Sequence, residues 1–114
     1  MSEQILQLPD GQTLKLDEKG YLVDFSQWTP AVADTMAAAD GLTLATEHWF
    51  VIGLFQDYFK RFDIEPPMRW LVRQCQQEWG AEGGNSRALY RLFPDGPPTQ
   101  ACRYAGLPRP VSCI

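Results

Sequence analysis

Residues 84–106, GNSRALYRLFPDGPPTQACRYAG, predict two short helices joined by a rigid turn. Asn85 or Ser86 can cap the first helix, because asparagine and serine side chains accept hydrogen bonds from the free N–H groups at a helix start. The proline-rich segment PDGPP makes the turn, and the second helix covers roughly residues 99–105. Gly106 is placed as its C-cap, since glycine adopts the left-handed conformation that ends many helices.

Three further helices are predicted between residues 29 and 80, from breaker residues and from apolar residues at helical spacing. The first covers residues 31–39, the second has Thr43 or Thr46 as its N-cap and runs to about Phe62, and the third follows Pro66-Pro67 and closes at Gly80. The aromatic residues of these helices are predicted to form the core: Trp49, Phe55, Phe59, Phe62 and Trp79.

The N-terminal region predicts a β-hairpin. Apolar residues alternate with polar ones around Leu6 and again around Leu14, and a turn signal at Asp10-Gly11 separates the two runs. The predicted fold is therefore mostly α, a small orthogonal bundle of about five helices with an N-terminal β-hairpin and a flexible C-terminal arm. Residues 1–106 are assigned to the helical domain and residues 107–114 to the C-terminal arm.

The composition limits the classes of function. The 114 residues suit one compact domain, and the net charge of −4 argues against a nucleic-acid-binding protein. No signal peptide or membrane-spanning segment is recognised, which predicts a cytoplasmic protein without membrane insertion. With one histidine and no CxxC pair among three cysteines, neither a zinc site nor another cofactor is expected.

The C-terminal arm, LPRPVSCI, presents a cysteine one position before its last residue. Its two prolines forbid a helix and favour an extended chain that projects from the domain. We interpret Cys113 as a nucleophile on a tether that can enter a partner's active site. The alternative is an incidental exposed thiol.

The other two cysteines differ from Cys113 and from each other. Cys75 lies on the apolar stripe of the third helix and is predicted to be structural. Cys102 lies in the last helix, and an extended chain of residues 106–113 could span ~25 Å at about 3.3 Å per residue. A bend near Gly106 could therefore bring Cys102 and Cys113 together. The sequence leaves open whether Cys102 reacts in this way or only packs against Leu107.

Several motifs closely resemble the DsrC/TusE/DsvC family. They are GNSRALYRLFPDGP at 84–97, QACRYAGLPRP at 100–110 and the closing Cys113-Ile114, with GYL at 20–22, Trp28 and EHW at 47–49 upstream. The resemblance covers nearly the whole chain. It implies a small helical fold with an N-terminal hairpin and a mobile arm, and a sulfur relay role in which Cys113 accepts sulfur as a persulfide.

The upstream cysteine distinguishes types within this family. TusE-type proteins, which pass sulfur toward tRNA 2-thiouridine, typically keep only the penultimate cysteine. DsrC-type proteins of dissimilatory sulfur metabolism carry both, at the spacing between Cys102 and Cys113. The resemblance thus favours a DsrC-type carrier whose two cysteines can hold a trisulfide or a disulfide, and which acts as a protein co-substrate for sulfurtransferase chemistry rather than as a stand-alone catalyst.

The same resemblance implies the partners. The sulfur donor would be a sulfurtransferase of TusBCD or DsrEFH type, and the acceptor a siroheme sulfite reductase or a tRNA thiolase. A membrane-linked reductase would reopen the disulfide. The third helix departs from the family pattern, because it carries Trp70 and Gln74 where a more basic helix is usual. This departure predicts a partner that differs from the usual ones.

Arginines give the C-terminal half a basic bias. We interpret Arg87, Arg91, Arg103 and Arg109 as a docking surface, for an acidic protein in preference to RNA because the net field is negative. The alternatives are a solvated face that balances acidic neighbours and a DNA-binding or redox-sensing regulator of the same fold. The single histidine, His48, is predicted to pack or to cap a helix.

Overall fold

The computed structural model describes residues 4–109, which form a two-stranded antiparallel sheet followed by five helices. The strands are β1 (Gln4–Gln7) and β2 (Thr13–Leu16), and the helices are α1 (Pro30–Ala39), α2 (Thr46–Phe62), α3 (Met68–Gly83), α4 (Ser86–Leu92) and α5 (Pro97–Tyr104). The predicted mostly α fold with an N-terminal hairpin is confirmed. Cys113, the predicted nucleophile, lies outside the described residues, as do the other positions of 110–114.

The hairpin buries one face against the helices. Leu6 of β1 pairs with Leu14 of β2, and both side chains are buried, while β1 packs on α1. The N–H of Gly11 donates to the carbonyl oxygen of Leu8 (3.0 Å) and closes the turn, with Gly11 at a φ of 92°. A two-stranded hairpin is marginal alone, so this packing against α1 stabilises it.

Most helix ends follow the predicted cap and breaker residues, but the predicted threonine cap of α2 is wrong, because its N-cap is Ala45. Asn85 caps α4, since its Oδ1 accepts the N–H of Ala88 (2.8 Å). Gly80 interrupts α3 with a φ of 80°, at the position where the helix was predicted to close. Helix α5 begins at Pro97, earlier than residue 99, because proline suits the first turn of a helix, where its missing N–H has no intrahelical partner.

Helix α5 is the central element of the bundle. It packs against α1, α2 and α4, and most of its side chains are buried. The core is shared by the hairpin and all five α-helices, and its largest fully buried side chains include Tyr104, Phe55 and Phe93. None of the helices within residues 4–109 is long and apolar enough to cross a membrane.

One of the predicted core aromatics is not in the core. Phe62 is 56% exposed, whereas Phe55 of the same helix is fully buried. Helix α2 ends at Phe62, and Asp63 turns the chain in the left-handed conformation with a φ of 57°. The last turn of α2 therefore extends beyond the helices that cover its middle, which a periodic pattern alone does not reveal.

Candidate functional site

The thiol of Cys102 faces the start of the C-terminal arm. The residue is 1% exposed, and its Sγ donates a hydrogen bond to the carbonyl oxygen of Pro108 (3.2 Å). Cys102 is thus both a core residue and a direct neighbour of the segment that leads to Cys113.

The backbone after Cys102 closes α5 in a Schellman motif. Gly106, at a φ of 78°, donates its N–H to the carbonyl of Arg103 (3.0 Å), and Leu107 donates to the carbonyl of Cys102 (3.2 Å). Leu107 is only 2% exposed, whereas Pro108 and Arg109 are exposed. The predicted role of Gly106 at the helix end is confirmed, and the first residue of the proposed arm packs on the domain.

Two side chains from distant elements hold this helix end. The indole Nε1 of Trp28 donates to the carbonyl of Tyr104 (2.7 Å), and the amide Nε2 of Gln56 donates to the carbonyl of Ala105 (2.9 Å). These carbonyls lie in the last turn of a helix, where intrahelical donors are missing. A Cβ on Gly106 would lie 2.5 Å from the Trp28 ring, so the indole and the turn are in close contact.

Sequence reasoning assigned no role to Gln56 and noted Trp28 only within the family motifs. One feature of the sequence could have pointed to Gln56: it is a polar residue that directly follows the buried Phe55 in α2. Partly buried amides normally have hydrogen-bond partners, but the partner here is a backbone carbonyl forty-nine residues away, which no local pattern specifies.

A chain of polar groups fixes the rest of α5. Gln100, 1% exposed, accepts the N–H of Asp95 (2.9 Å) and donates to the hydroxyl of Tyr104 (3.0 Å). That hydroxyl donates to Asp40 Oδ2 (2.6 Å) at the end of α1, where Arg103 also pairs (2.5 Å). Burial, and then the bond to the Asp40 carboxylate, raise the pKa of Tyr104 well above its usual range, so the phenol stays protonated.

The four predicted docking arginines do not share one arrangement. Arg87 and Arg91 are exposed on α4 and line one surface depression together. Arg103 forms an ion pair with Asp40, and its side chain is 18% exposed. Arg109 lies within the arm, with its Nε 3.7 Å from Oδ2 of Asp17. The structure thus brings the first two together but places the other two elsewhere.

A groove lies beside Cys102. It is a small depression of about 220 Å³ between the α2–α3 turn and the start of the arm. Its lining residues are Phe59, Asp63, Ile64, Glu65, Cys102, Pro108 and Arg109. We name this the cysteine groove.

The remaining cysteine and the histidine have structural roles, as predicted. Cys75 is fully buried on α3, and burial raises the pKa of its thiol to about 11. Nδ1 of His48 accepts the N–H of Ala45 (2.9 Å) at the start of α2. Its Nε2 then carries the proton and donates to the carbonyl of Leu92 (2.9 Å), so both ring nitrogens are used.

Comparison with known proteins identifies the family. Residues 9–114 match the family model described as DsrC like protein. The chain belongs to the DsrC-like family. The resemblance inferred from the sequence motifs is therefore confirmed, and the matched region of this DsrC-like protein includes both Cys102 and Cys113.

Two curated relatives carry the name sulfurtransferase TusE. The protein of Photorhabdus laumondii is 46% identical over 105 residues, which are 92% of this chain and 95% of that protein. The protein of Pectobacterium atrosepticum is 43% identical over 105 residues, with 92% and 96% covered.

Two solved DsrC structures share the fold of this DsrC-like chain. The NMR structure of DsrC from Allochromatium vinosum superposes with a TM-score of 0.84 at 42% identity, over 99% of this chain and 100% of that one. The crystal structure of the oxidized gamma-subunit of the dissimilatory sulfite reductase (DsrC) from Archaeoglobus fulgidus gives a TM-score of 0.87 at 38% identity, over 97% and 100%.

Proposed function

We propose that this protein carries sulfur as a persulfide on Cys113 and that Cys102 is the second thiol of the cycle. It is a sulfur relay protein, a role supported by its family and by relatives named sulfurtransferase TusE and DsrC. The observation that carries the proposal is the position of the Cys102 thiol, which is hydrogen-bonded to Pro108 at the root of the segment that leads to Cys113.

Loading is a thiol exchange. The Cys113 thiolate attacks the outer sulfur of a persulfide on the donor, the donor's S–S bond breaks, and the donor cysteine leaves as a thiolate. The outer sulfur and its proton are then on Cys113. No cofactor is needed, and the protein acts as the co-substrate of a sulfurtransferase rather than as a stand-alone catalyst.

Cys102 completes the cycle in one of two bridged states. Its thiolate can attack the inner sulfur of the Cys113 persulfide, which expels hydrosulfide and leaves a disulfide. A trisulfide instead keeps the carried sulfur between the two cysteines and is two electrons more oxidised than a persulfide and a thiol. The siroheme sulfite reductase proposed as the acceptor must take up those two electrons as the two thiol protons are released. In the disulfide case a membrane-linked reductase supplies two electrons and two protons to reopen the bond.

Chain length allows both partner contact and bridging. Cys113 follows Pro108 by five residues, and an extended chain covers about 3.3 Å per residue, so Cys113 can lie anywhere within ~17 Å of Pro108. Residues beyond Leu107 form the proposed mobile arm. It reaches outward for loading and folds back to Cys102 for bridging.

The proposed partners follow from the pair of cysteines. A sulfurtransferase of TusBCD or DsrEFH type donates the sulfur, and a siroheme sulfite reductase accepts it in the cytoplasm. Arg87 and Arg91, which are exposed together on α4, form the proposed docking site for an acidic acceptor. The identity to TusE proteins favours a second acceptor, a tRNA thiolase.

Intact mass spectrometry after incubation with polysulfide tests the carrier role. We expect wild type and Cys102→Ser to gain sulfur, and Cys113→Ser to gain none. Only wild type should convert to a bridged form that loses two hydrogens. A wild type that gains no sulfur would refute the carrier role and favour the redox-sensing alternative, while full delivery to a tRNA thiolase by Cys102→Ser would favour the TusE-type acceptor.

A further inference from the structure

An aromatic cluster lies at the surface where α2 ends and α3 begins, with Phe62 exposed and Tyr58 and Trp70 half-buried. The ring of Tyr58 lies 4.5 Å from that of Phe62 and 4.8 Å from that of Trp70, measured between centroids. With Leu54 these rings line a depression of about 380 Å³. We name Tyr58, Phe62, Trp70 and the adjacent Ile64 the aromatic patch. Phe62 is 56% exposed and Ile64 40%.

The aromatic patch adjoins the cysteine groove. Phe62 is the last residue of α2 and lines the aromatic depression, and the next three residues, Asp63 to Glu65, line the cysteine groove. One turn of chain therefore separates the two depressions. Ile64 belongs to both the patch and the wall beside Cys102.

The length of the arm allows a partner of Cys113 to lie against this region. Arg109 lines the cysteine groove, and Cys113 follows it by four residues, so the thiol lies within ~13 Å of Arg109 at about 3.3 Å per residue. A protein interface covers about 800 Å² on each partner, which corresponds to a disc roughly 16 Å in radius. A partner cysteine that meets Cys113 above the groove thus carries its surface over the adjoining patch.

The chemistry of the patch indicates the kind of surface it accepts. Tyrosine and tryptophan are enriched at the energetic centres of protein interfaces, usually with polar residues at the rim. Here Asp57 and Arg61 flank the rings with opposite charges, so the patch selects for apolar contact rather than for one sign of charge.

We propose that the aromatic patch is the docking surface for the protein that loads Cys113 with sulfur, and that this donor presents an apolar surface there. The proposal rests on the carrier role of Cys113. It assigns loading to the α2–α3 turn and leaves Arg87 and Arg91 on α4 to the acceptor. Donor and acceptor then use different faces of the molecule.

The test compares a donor that must dock with one that need not. Purified persulfide-bearing sulfurtransferase of TusBCD type and inorganic polysulfide are each mixed with the full chain, and the rate of sulfur gain on Cys113 is followed by intact mass. The variants are Phe62→Ser and Ile64→Ser, with Tyr90→Ser as the matched control, since Tyr90 is an equally exposed aromatic (49%) on α4 that lines neither depression.

We expect Phe62→Ser to lower the rate of loading by limiting protein donor about tenfold, the loss typical of a central interface residue. Ile64→Ser should lower it less, and Tyr90→Ser should leave it unchanged. Loading by polysulfide should be equal in all four proteins, which also shows that the variants are folded and that their arms are accessible.

Three results would overturn the proposal. Loading of Phe62→Ser and Ile64→Ser by the protein donor at the wild-type rate would show that the patch does not dock it. An equal change with polysulfide would show that the patch acts on the arm itself. Loading of wild type by polysulfide but not by the protein donor would remove the docking role and leave the carrier role intact, whereas failure with both donors would refute the carrier role.

Discussion

The N–H of Leu107 donates to the carbonyl oxygen of Cys102 across 3.2 Å, so the first residue after the helix-ending turn is tied to the backbone of the buried cysteine. The Cys102 thiol in turn donates to Pro108. Cys102 therefore holds the root of the arm at two points. A change in this turn should alter both the stability of the domain and the position from which the arm starts.

Replacing Gly106 by alanine should destabilise the protein more than the same change at Gly41. Both glycines have a φ near 80° (78° and 79°) and both end a helix, so each alanine has the left-handed cost of about 1–2 kcal/mol. Only at Gly106 does the new Cβ meet the Trp28 ring, at 2.5 Å, while Gly41 has nothing within 4 Å. Urea unfolding should show an additional loss of about 1–3 kcal/mol for Gly106→Ala. Equal losses would mean that the indole moves aside without cost.

Replacing Tyr104 by phenylalanine should lower the free energy of unfolding by about 1–3 kcal/mol. The buried Gln100 amide would lose its hydrogen-bond acceptor, and an unsatisfied buried donor costs about that much. The matched control is Tyr90→Phe, whose exposed hydroxyl should contribute less than about 0.5 kcal/mol. Urea unfolding monitored by circular dichroism measures both, and a neutral Tyr104→Phe would contradict the assigned network.

Cys75 should resist alkylation in the folded protein at neutral pH. It is fully buried and its thiol pKa is raised to about 11, so the reactive thiolate is scarce and inaccessible. Iodoacetamide with peptide mapping should label Cys113 first and Cys75 only on unfolding. Rapid labelling of Cys75 in native conditions would show that α3 opens locally.

The same burial predicts a pH dependence of stability. The folded-state pKa of Cys75, about 11, lies above the ordinary value of 9.0, so the unfolded thiol ionises first as the pH rises. The contribution of this group is therefore fully present below about pH 9 and is lost between pH 9 and 11. Urea unfolding across this range should show a smaller alkaline decline for Cys75→Ala than for wild type, and equal declines would assign the effect to other groups.

Reversing the charge of the two α4 arginines should impair the delivery of sulfur to the acceptor without lowering the stability of the fold. Arg87→Glu with Arg91→Glu changes only exposed side chains, so the unfolding midpoint should stay near that of wild type. Association with a siroheme sulfite reductase should slow, most strongly at low salt, because electrostatic steering is screened by ions. Arg103→Gln is the contrasting variant: it should lower stability through the loss of the Asp40 pair. Unchanged association of the double variant at low salt would remove α4 as the docking face.

The sequence predicted the elements whose signals are local. Asn85 and Gly106 mark helix ends through side-chain capping and left-handed backbone, and both act as predicted. Residues that act over long distances were missed. Gln56 donates a hydrogen bond to the carbonyl of Ala105 at the end of α5, and Phe62 is exposed at the end of α2. Neither fact is encoded in periodicity.

The candidate site likewise combines features that the sequence predicted with features that it did not. The family motifs identified Cys102, and its burial under Pro108 follows from the Schellman turn that Gly106 permits. The pairing of Arg103 with Asp40 depends on how α1 meets α5, so four arginines that look alike in sequence have different surroundings in the fold.

Trp28 and Gln56 hold the last carbonyls of α5, and this anchoring has a kinetic consequence. A tether with a fixed origin confines its far end to a sphere, here ~17 Å in radius around Pro108. One thiol in that volume corresponds to an effective concentration of tens of millimolar, roughly. Cys102 thus meets the persulfide on Cys113 at a concentration of that order, so closure of a bridge between the two cysteines is favoured over attack by any free thiol that is present at a lower concentration.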